Sequence, residues 1–371
     1  MSKLFEPMAI GPLAIANRVI VAPMCQYSAA DGCATDWHQM HLGQLGVSGA
    51  GLVILEATAV SAEAGITAWD LGLWSDDHEA ALGRVLAGVR RHAVSPFAIQ
   101  LAHAGRKGSS LPPWLGGGQI PSHQPHGWRT VSASAEPHGA GEERPDALGE
   151  AGIAKVVADF AAAAARAGRL GLAGVEIHMA HGYLIHQFLS PLANRRNDHY
   201  GGSRENRMRL ALEVFDAVRA AFPADRPVWA RLSATDWVEG GWDLDDSVAL
   251  TQALAARGAA AIHVSSGGVS PRQQITLGPG YQVPFAERIR ADTGLPTIAV
   301  GLITEPAEAE AIVAEGRADA VALARAMLYD PRWPWHAAAA LGATIDAPPQ
   351  YWRCQPRDLK HLFRDSRIGQ R

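Results

Sequence analysis

The run Glu176-Ile-His178-Met-Ala-His181-Gly-Tyr183 holds the densest chemistry in the chain. Two histidines three residues apart can ligate a metal, donate two hydrogen bonds to one oxygen, or sit in a loop with no shared task. A metal wants a third ligand, and Glu176 qualifies if the segment is a strand, because residues 176 and 178 then face one side. Tyr183 argues for other chemistry. An unperturbed phenol titrates near pH 10, so at neutral pH it is an acid able to deliver a proton. Further along, Ser265-Ser266-Gly267-Gly268, Ala299-Val300-Gly301 and Ala324-Arg325 combine small residues with one permanently charged guanidinium. Backbone N–H groups at such positions can cradle a phosphate with Arg325 as a clamp, and Arg325 can equally cap a helix or pair with a carboxylate. Cys25, after Pro23-Met24, is either a reactive thiol or a small buried hydrophobe.

These groups matter only if one scaffold gathers them. Short apolar runs alternate with helical stretches along the whole chain. The runs are Val19–Met24, Leu52–Val60, Phe97–His103, Val175–His178, Val228–Leu232, Ala261–Ser265, Thr297–Val300 and Ala320–Leu323. Helical stretches follow them near residues 37–47, 77–92, 153–167, 204–222, 245–257, 283–292, 305–315 and 335–341. Eight strand–helix units in strict order predict an α/β fold, a single (β/α)8 TIM barrel. An open doubly wound sheet is the rival, but the turn after Met24 reads CQYSAADG and has no G-x-G-x-x-G.

Gly11-Pro12 between two apolar runs predicts a hairpin within Leu4–Asn17 that closes the barrel bottom. Residues 104–149 are rich in Gly, Pro, His and Ser and read as a lid after the third strand. Barrels place their chemistry at the C-terminal strand ends. There the sequence puts Cys25, Tyr27, Glu56, Ala57, Gln100, His103, His178, His181, Tyr183, Arg231, Ser265, Gly267, Gly301 and Arg325.

Composition narrows the function classes. The 371 residues are 48% hydrophobic and 19% charged, which excludes an intrinsically disordered chain. A net charge of −4, from 33 basic and 37 acidic residues, gives no basic excess for a nucleic acid. The three cysteines, Cys25, Cys33 and Cys354, include no C-x-x-C pair and form no disulfide scaffold. The longest uncharged stretch, residues 37–55, holds two His, two Gln and four Gly and does not read as a membrane span. The opening MSKLFEPMAIG lacks the apolar core of a secretory signal, so the expectation is a cytoplasmic protein without a membrane partner.

The residues then match a known pattern over nearly the full length. It runs from Leu4-Phe5-Glu6-Pro7 through Asn17-Arg18, Ala22-Pro23-Met24-Cys25-Gln26-Tyr27 and Glu56-Ala57-Thr58. It continues through Gln100-Leu-Ala-His103-Ala-Gly-Arg106-Lys107 and the 176–183 run. Its most specific block is Phe188-Leu-Ser-Pro191 to Asn194-x-Arg196-x-Asp198-x-Tyr200-Gly-Gly-Ser203-x-x-Asn206-Arg207. The chain resembles the old yellow enzyme family of flavin-dependent ene-reductases, in its thermophilic-like bacterial subgroup.

That resemblance implies non-covalent FMN, NADPH as hydride donor, and an activated alkene such as an enone as substrate. It implies that His178 and His181 bind the substrate carbonyl oxygen and that Tyr183 protonates the α-carbon. It implies Tyr27 as a further substrate-binding phenol and Cys25 as a thiol beside the flavin. Arg231 and Gln100 would meet the pyrimidine end, and Pro23, Met24 and Ala57 the ring system. Gly301, Ala324 and Arg325 would hold the ribityl phosphate, with Ser265 and Gly267 also binding the cofactor. Residues 345–371 resemble a tail at a subunit interface, with Arg353 reaching a neighbouring protomer's site, which implies a homodimer or homotetramer.

Three positions depart from the pattern. Ala324 stands where glycine is expected, so its backbone must avoid positive φ. Val300 replaces a large aromatic, and the lid is long. Arg106 and Lys107 at its start are expected to meet the nicotinamide phosphate or to be solvated. The rival activities are another FMN barrel dehydrogenase, a quinone or nitro-compound reductase, a flavin-storage protein, and a metal-dependent lyase or hydrolase built on Glu176, His178 and His181.

Overall fold

The computed structural model describes residues 2–367; residues 368–371, the end of the expected tail, lie outside the described residues. The chain opens with an antiparallel hairpin, β1 (Met8–Ile10) and β2 (Leu13–Ile15), before β3 (Val19–Val21), β4 (Leu52–Ala59) and β5 (Phe97–Ala102). A two-residue parallel pair, β6 (Val131–Ser132) and β7 (Asp146–Ala147), lies inside the 104–149 segment. Then come β8 (Val175–Met179), β9 (Val228–Ser233), β10 (Ile262–Ser265), β11 (Thr297–Ala299) and β12 (Ala320–Leu323). Eight of these, in the order β3, β4, β5, β8, β9, β10, β11, β12, pair in parallel and close into a barrel.

The helices are α1 (Asp36–Gly46), α2 (Asp76–Arg90), α3 (Glu150–Arg169), α4 (Leu184–Leu189), α5 (Arg204–Ala221), α6 (Leu244–Ala255), α7 (Val283–Thr293), α8 (Pro306–Ala314), α9 (Arg325–Tyr329) and α10 (Trp333–Ala340). Ser203 and Asp243 start α5 and α6 by accepting the N–H of Asn206 and Asp246, and Pro opens α7, α8 and α10, where its missing N–H costs nothing. Two elements differ from the sequence reading. α4 is an extra short helix in the fourth unit, and the eighth helix is split into α9 and α10 around Asp330. The first strand also ends at Val21, because residues 22–29 run out of the barrel as a loop.

Period-two alternation divides the strands into two faces. Val19, Val21, Val53, Leu55, Ile99, Val175, Ile177, Val228, Ala230, Ile262 and Val264 face the helices and join the large outer core. Ile20, Leu52, Ile54, Ala98, Trp229, Ile298 and Ala320 point into the bore and form a second cluster with Ile10 and Ile15 of the hairpin. The hairpin therefore plugs the bottom of the barrel. Full burial of Ile10 and Ile15 is worth about 1.5–3 kcal/mol each. The same alternation turns Gln100, Glu176, His178, Arg231, His263 and Ser265 inward, above the apolar floor. Among the described residues no helix is long and apolar enough to cross a membrane.

Candidate active site

Above the apolar floor the bore carries a buried polar layer. The Glu176 carboxylate accepts hydrogen bonds from Gln100 Nε2 (2.6 Å), Trp229 Nε1 (2.7 Å) and His263 Nδ1 (2.8 Å). Burial alone would raise its pKa, but His263, Arg231 and Trp229 together hold it below the ordinary carboxylate value. Burial pushes His263 the other way, towards its neutral form, so the pair is a carboxylate facing a neutral imidazole N–H. This corrects the metal reading of Glu176. Both its oxygens are engaged by these donors and held away from the two histidines' shared space, so it is not placed as a third ligand for His178 and His181.

His178 leaves the end of β8, and His181 follows in a tight turn with φ +59°. His178 Nδ1 accepts the Ala180 N–H (3.2 Å), which leaves Nε2–H directed at His181 Nδ1 (3.3 Å). His181 Nε2 in turn reaches Ser265 Oγ (2.6 Å). Burial, then the charge of Arg231, pushes both histidines well below their ordinary pKa, so both rings are neutral donors. Tyr183 stands at the start of α4 with its ring edge-on to His178 (4.9 Å, 88°) and to His181 (6.4 Å, 78°). Burial, then Cys25, Tyr27 and Asp70, drives its phenol well above pH 10, and the proton stays on until chemistry removes it.

The loop after β3 brings Pro23, Met24, Cys25 and Tyr27 to the same rim, all partly buried. The Glu56 carboxylate holds this loop by accepting the Gln26 N–H (2.8 Å) and lies 3.3 Å from His38 Nε2. Burial, then Asp70 and Glu56, raises the pKa of Cys25, which is therefore a thiol rather than a thiolate. Tyr27 (φ +49°) packs edge-on against exposed Trp114 of the 104–149 segment, 5.7 Å away. Ala57 is buried beside a register shift in β4 that follows Leu55.

A cavity opens between the ends of β9 to β12. Its walls include Arg231, Ser265, Gln282, Gly301, Ala324 and Arg325. Arg231 is buried, and its Nε has no hydrogen-bond partner. A permanent charge left this way calls for an acceptor to fill the cavity. Gly301 has φ +132°, and a Cβ there would stand 2.9 Å from Gln282 Nε2, so only glycine leaves the wall clear. Ala324 adopts φ −106°, so the alanine in place of glycine avoids positive φ. Arg325 has no carboxylate partner among the described residues, which removes the ion-pair reading. Gly267 (φ +69°) is tied through its carbonyl to Ser233 Oγ. The donor set, one buried guanidinium with small residues and hydroxyls around it, fits the polar end of a flavin mononucleotide.

Sequence reasoning missed Tyr281 and Gln282. Gln282 Nε2 donates to the Val300 carbonyl (2.9 Å) and its Oε1 accepts Ser266 Oγ (2.6 Å). The Gly278-Pro279-Gly280 turn just before them was the available signal. The solvated reading of Arg106 and Lys107 is also corrected. Arg106 is buried and donates to the carbonyls of Glu136 (3.1 Å) and Val269 (2.8 Å), while Lys107 Nζ donates to His181 O (2.8 Å) and Gly268 O (3.1 Å). The 194–207 block is a brace rather than a site. Asn194 donates to the Phe188 and Tyr200 carbonyls, and Arg196 to those of Ala133 and Leu148. Arg353 sits exposed on a 3-10 turn, Pro349–Cys354.

The chain matches the model of the NADH:flavin oxidoreductase / NADH oxidase family over residues 3–343. It is 43% identical over 352 residues to an NADPH dehydrogenase of Geobacillus thermodenitrificans, covering 94% of this chain and 98% of that protein. It is also 43% identical over 355 residues to an NADPH dehydrogenase of Listeria innocua, covering 95% and 99%. A solved structure of morphinone reductase in complex with tetrahydroNAD superposes with a TM-score of 0.76 at 32% identity, over 94% of this chain and 93% of that one.

Proposed function

The chain belongs to the NADH:flavin oxidoreductase / NADH oxidase family, the old yellow enzyme family, and from that premise we propose that it reduces activated C=C bonds of α,β-unsaturated carbonyl compounds with electrons from NADPH. It is a flavin oxidoreductase of the NADPH dehydrogenase type. The observation that carries the finer reading is the packing of protonated Tyr183 against two neutral histidines, beside the cavity of Arg231 and Ser265.

Gln100, Arg231 and Ser265 would meet the polar ring edge of FMN, with Pro23, Met24, Cys25 and Ala57 along its ring. Gly267, Gly301, Ala324 and Arg325 would take its phosphate. Bound there, FMN supplies a carrier for two electrons that NADPH loads and an alkene unloads. The remaining chemistry belongs to the chain. His178 and His181 donate to the substrate carbonyl oxygen, where negative charge grows as hydride reaches the β-carbon. For both to donate, His181 gives up its bond from His178 and takes the Nδ1–H tautomer, a change open to a neutral ring. Tyr183 Oη delivers the proton to the α-carbon, and solvent restores it. The alkene thus gains one hydride and one proton, and NADPH loses the hydride.

Morphinone reductase, by its name, acts on an enone-bearing compound, which supports this substrate class. The 104–149 segment would act as a lid over substrate, with Trp114 against Tyr27 as its inner contact. The exposed Arg353 turn supports the proposal that residues 345–371 meet a second protomer in a homodimer or homotetramer. The setting consistent with this chemistry is the cytoplasm.

The test is an anaerobic visible spectrum of purified protein, taken after NADPH and again after 2-cyclohexen-1-one. A flavin band that bleaches and then returns is expected, and Tyr183→Phe should slow the return about 100-fold while bleaching proceeds. A band that stays bleached with the enone overturns the alkene assignment. Equal slowing of both phases in Tyr183→Phe overturns the proton donor.

A further inference from the structure

The Lys107 ammonium is held among backbone carbonyls at the barrel mouth. It follows buried Arg106 in a 3-10 turn, Gly105–Lys107, at the very start of the 104–149 segment. Its Nζ takes the carbonyls of His181 (2.8 Å) and Gly268 (3.1 Å), which belong to the loops after β8 and β10. The same Nζ lies 5.1 Å from the centroid of the Tyr183 ring. A single cation therefore touches the loop that carries both histidines, the loop that closes against it, and the face of the phenol.

The two loops press together tightly. A Cβ on Gly182 would overlap the Gly268 carbonyl, and one on Gly268 would overlap the His181 backbone. Two carbonyl dipoles directed at one spot repel unless a cation lies between them. The other polar groups of this turn already have partners. His181 N–H donates to Ser233 Oγ, Gly182 N–H to His186 Nδ1, and the Gly182 carbonyl accepts Gln187 Nε2. Lys107 brings its ammonium to the two carbonyls that remain.

We propose that Lys107 is a positioning residue of the alkene half-reaction: its ammonium fastens the His181 turn to the Gly268 loop and steadies the negative charge left on Tyr183 when Oη gives up its proton. This rests on the reading of Tyr183 as proton donor. The attraction between a cation and a ring face grows when the ring becomes a phenolate, so the contact strengthens in the transition state and accelerates the step.

The pH dependence follows from the surroundings. The groups facing Nζ are Arg106 on its own turn, Glu142 and His138 from the lid, and His178, His181 and Tyr183 from the β8 loop. Burial, then Arg106, brings the Lys107 pKa down to about 8, with Glu142 pulling weakly the other way. Below that value the cation is present, and above it the two carbonyls face a neutral amine.

The experiment is anaerobic stopped-flow measurement of both half-reactions on FMN-loaded protein between roughly pH 6 and 10, for wild type, Lys107→Met, Lys107→Arg and Tyr183→Phe. Flavin content and thermal midpoint establish that each variant is folded and loaded. Lys107→Met should slow the alkene phase about tenfold more than the flavin-reduction phase. The wild-type alkene phase should step down through about pH 8. Lys107→Arg, whose guanidinium stays charged, should lose that step. A Lys107→Met enzyme with an unslowed alkene phase overturns the proposal, and so does a step that persists unchanged in both Lys107 variants. Tyr183→Phe separates the two claims. An unchanged alkene phase there overturns the proton-donor reading, whereas a slowed Tyr183→Phe beside an unslowed Lys107→Met overturns only the role of Lys107.

Discussion

Arg231 is the clearest case of one side chain whose surroundings make sense only with a partner from outside the chain. Its guanidinium is buried with Nε unpaired, and its nearest compensation is Glu176, a carboxylate already committed to three donors. A fixed positive charge beside the pyrimidine end of a flavin favours the anionic reduced form, so removing it should lower the flavin potential. Arg231→Gln is expected to lower the two-electron potential by about 30 mV or more, equivalent to about 1.4 kcal/mol, and to weaken FMN binding. Dye-coupled potentiometric titration reads the first and flavin release on dilution the second. A potential equal to or above wild type would remove Arg231 from the flavin's electronics. Cys25 enters the same balance as a neutral thiol, since burial and two nearby carboxylates keep its proton on. Its influence is therefore through dipole and shape.

At the scale of elements, the site is made where two loops approach as closely as backbones can. Gly268 (φ +98°) lies against the His181 backbone, and alanine there meets both a strained φ and a steric overlap. Gly258 (φ +86°) has open space around its Cβ position and suffers the strain alone. Gly268→Ala should therefore cost about 2 kcal/mol or more beyond Gly258→Ala, by chemical denaturation, and should slow the alkene phase more than flavin reduction. Equal costs would mean that the loops can part freely. This contact also marks the limit of what sequence can carry. Period-two strands and their order were legible, and so the inward-facing Gln100, His178, Arg231 and Ser265 could be assigned to strand ends before any coordinates. The partners of Lys107 lie 74 and 161 residues away, and those of Gln282 are 16 and 18 residues away across a loop of no regular period. No local pattern encodes such distances. Glu176 shows the same limit from the other side. Alternation placed it on the face of His178, but only the meeting of β5, β9 and β10 in the closed barrel reveals that Gln100, Trp229 and His263 occupy it.

The molecule as a whole keeps an unusual number of imidazoles neutral. Burial lowers His41, His103 and His138 to about 4, and pushes His178 and His181 well below their ordinary value. In the unfolded chain each would titrate near 6.5. As pH falls from about 6.5 towards about 4, the unfolded state binds protons that the folded state refuses, so stability falls with pH across that window. For His103, which is 2% exposed, a depression from 6.5 to about 4 corresponds to about 3 kcal/mol at most. Asp70 opposes this. Burial raises it to about 7, so between about 4 and 7 it favours folding at the acid side. Asp246 and Glu308 are raised as well, but His263 adds a sixth lowered imidazole and Glu63, Glu176 and Asp236 are held low, so the balance still turns against folding in acid. The thermal midpoint should therefore be highest above about pH 7 and drop steeply towards pH 5, and His103→Gln should flatten the slope by removing one of the protons taken up on unfolding. Scanning calorimetry at several pH values measures both. A midpoint that holds or rises between pH 7 and 5 would mean that these rings accept protons within the fold, and with them the positive charge that the neutral histidines at positions 178 and 181 are built to avoid.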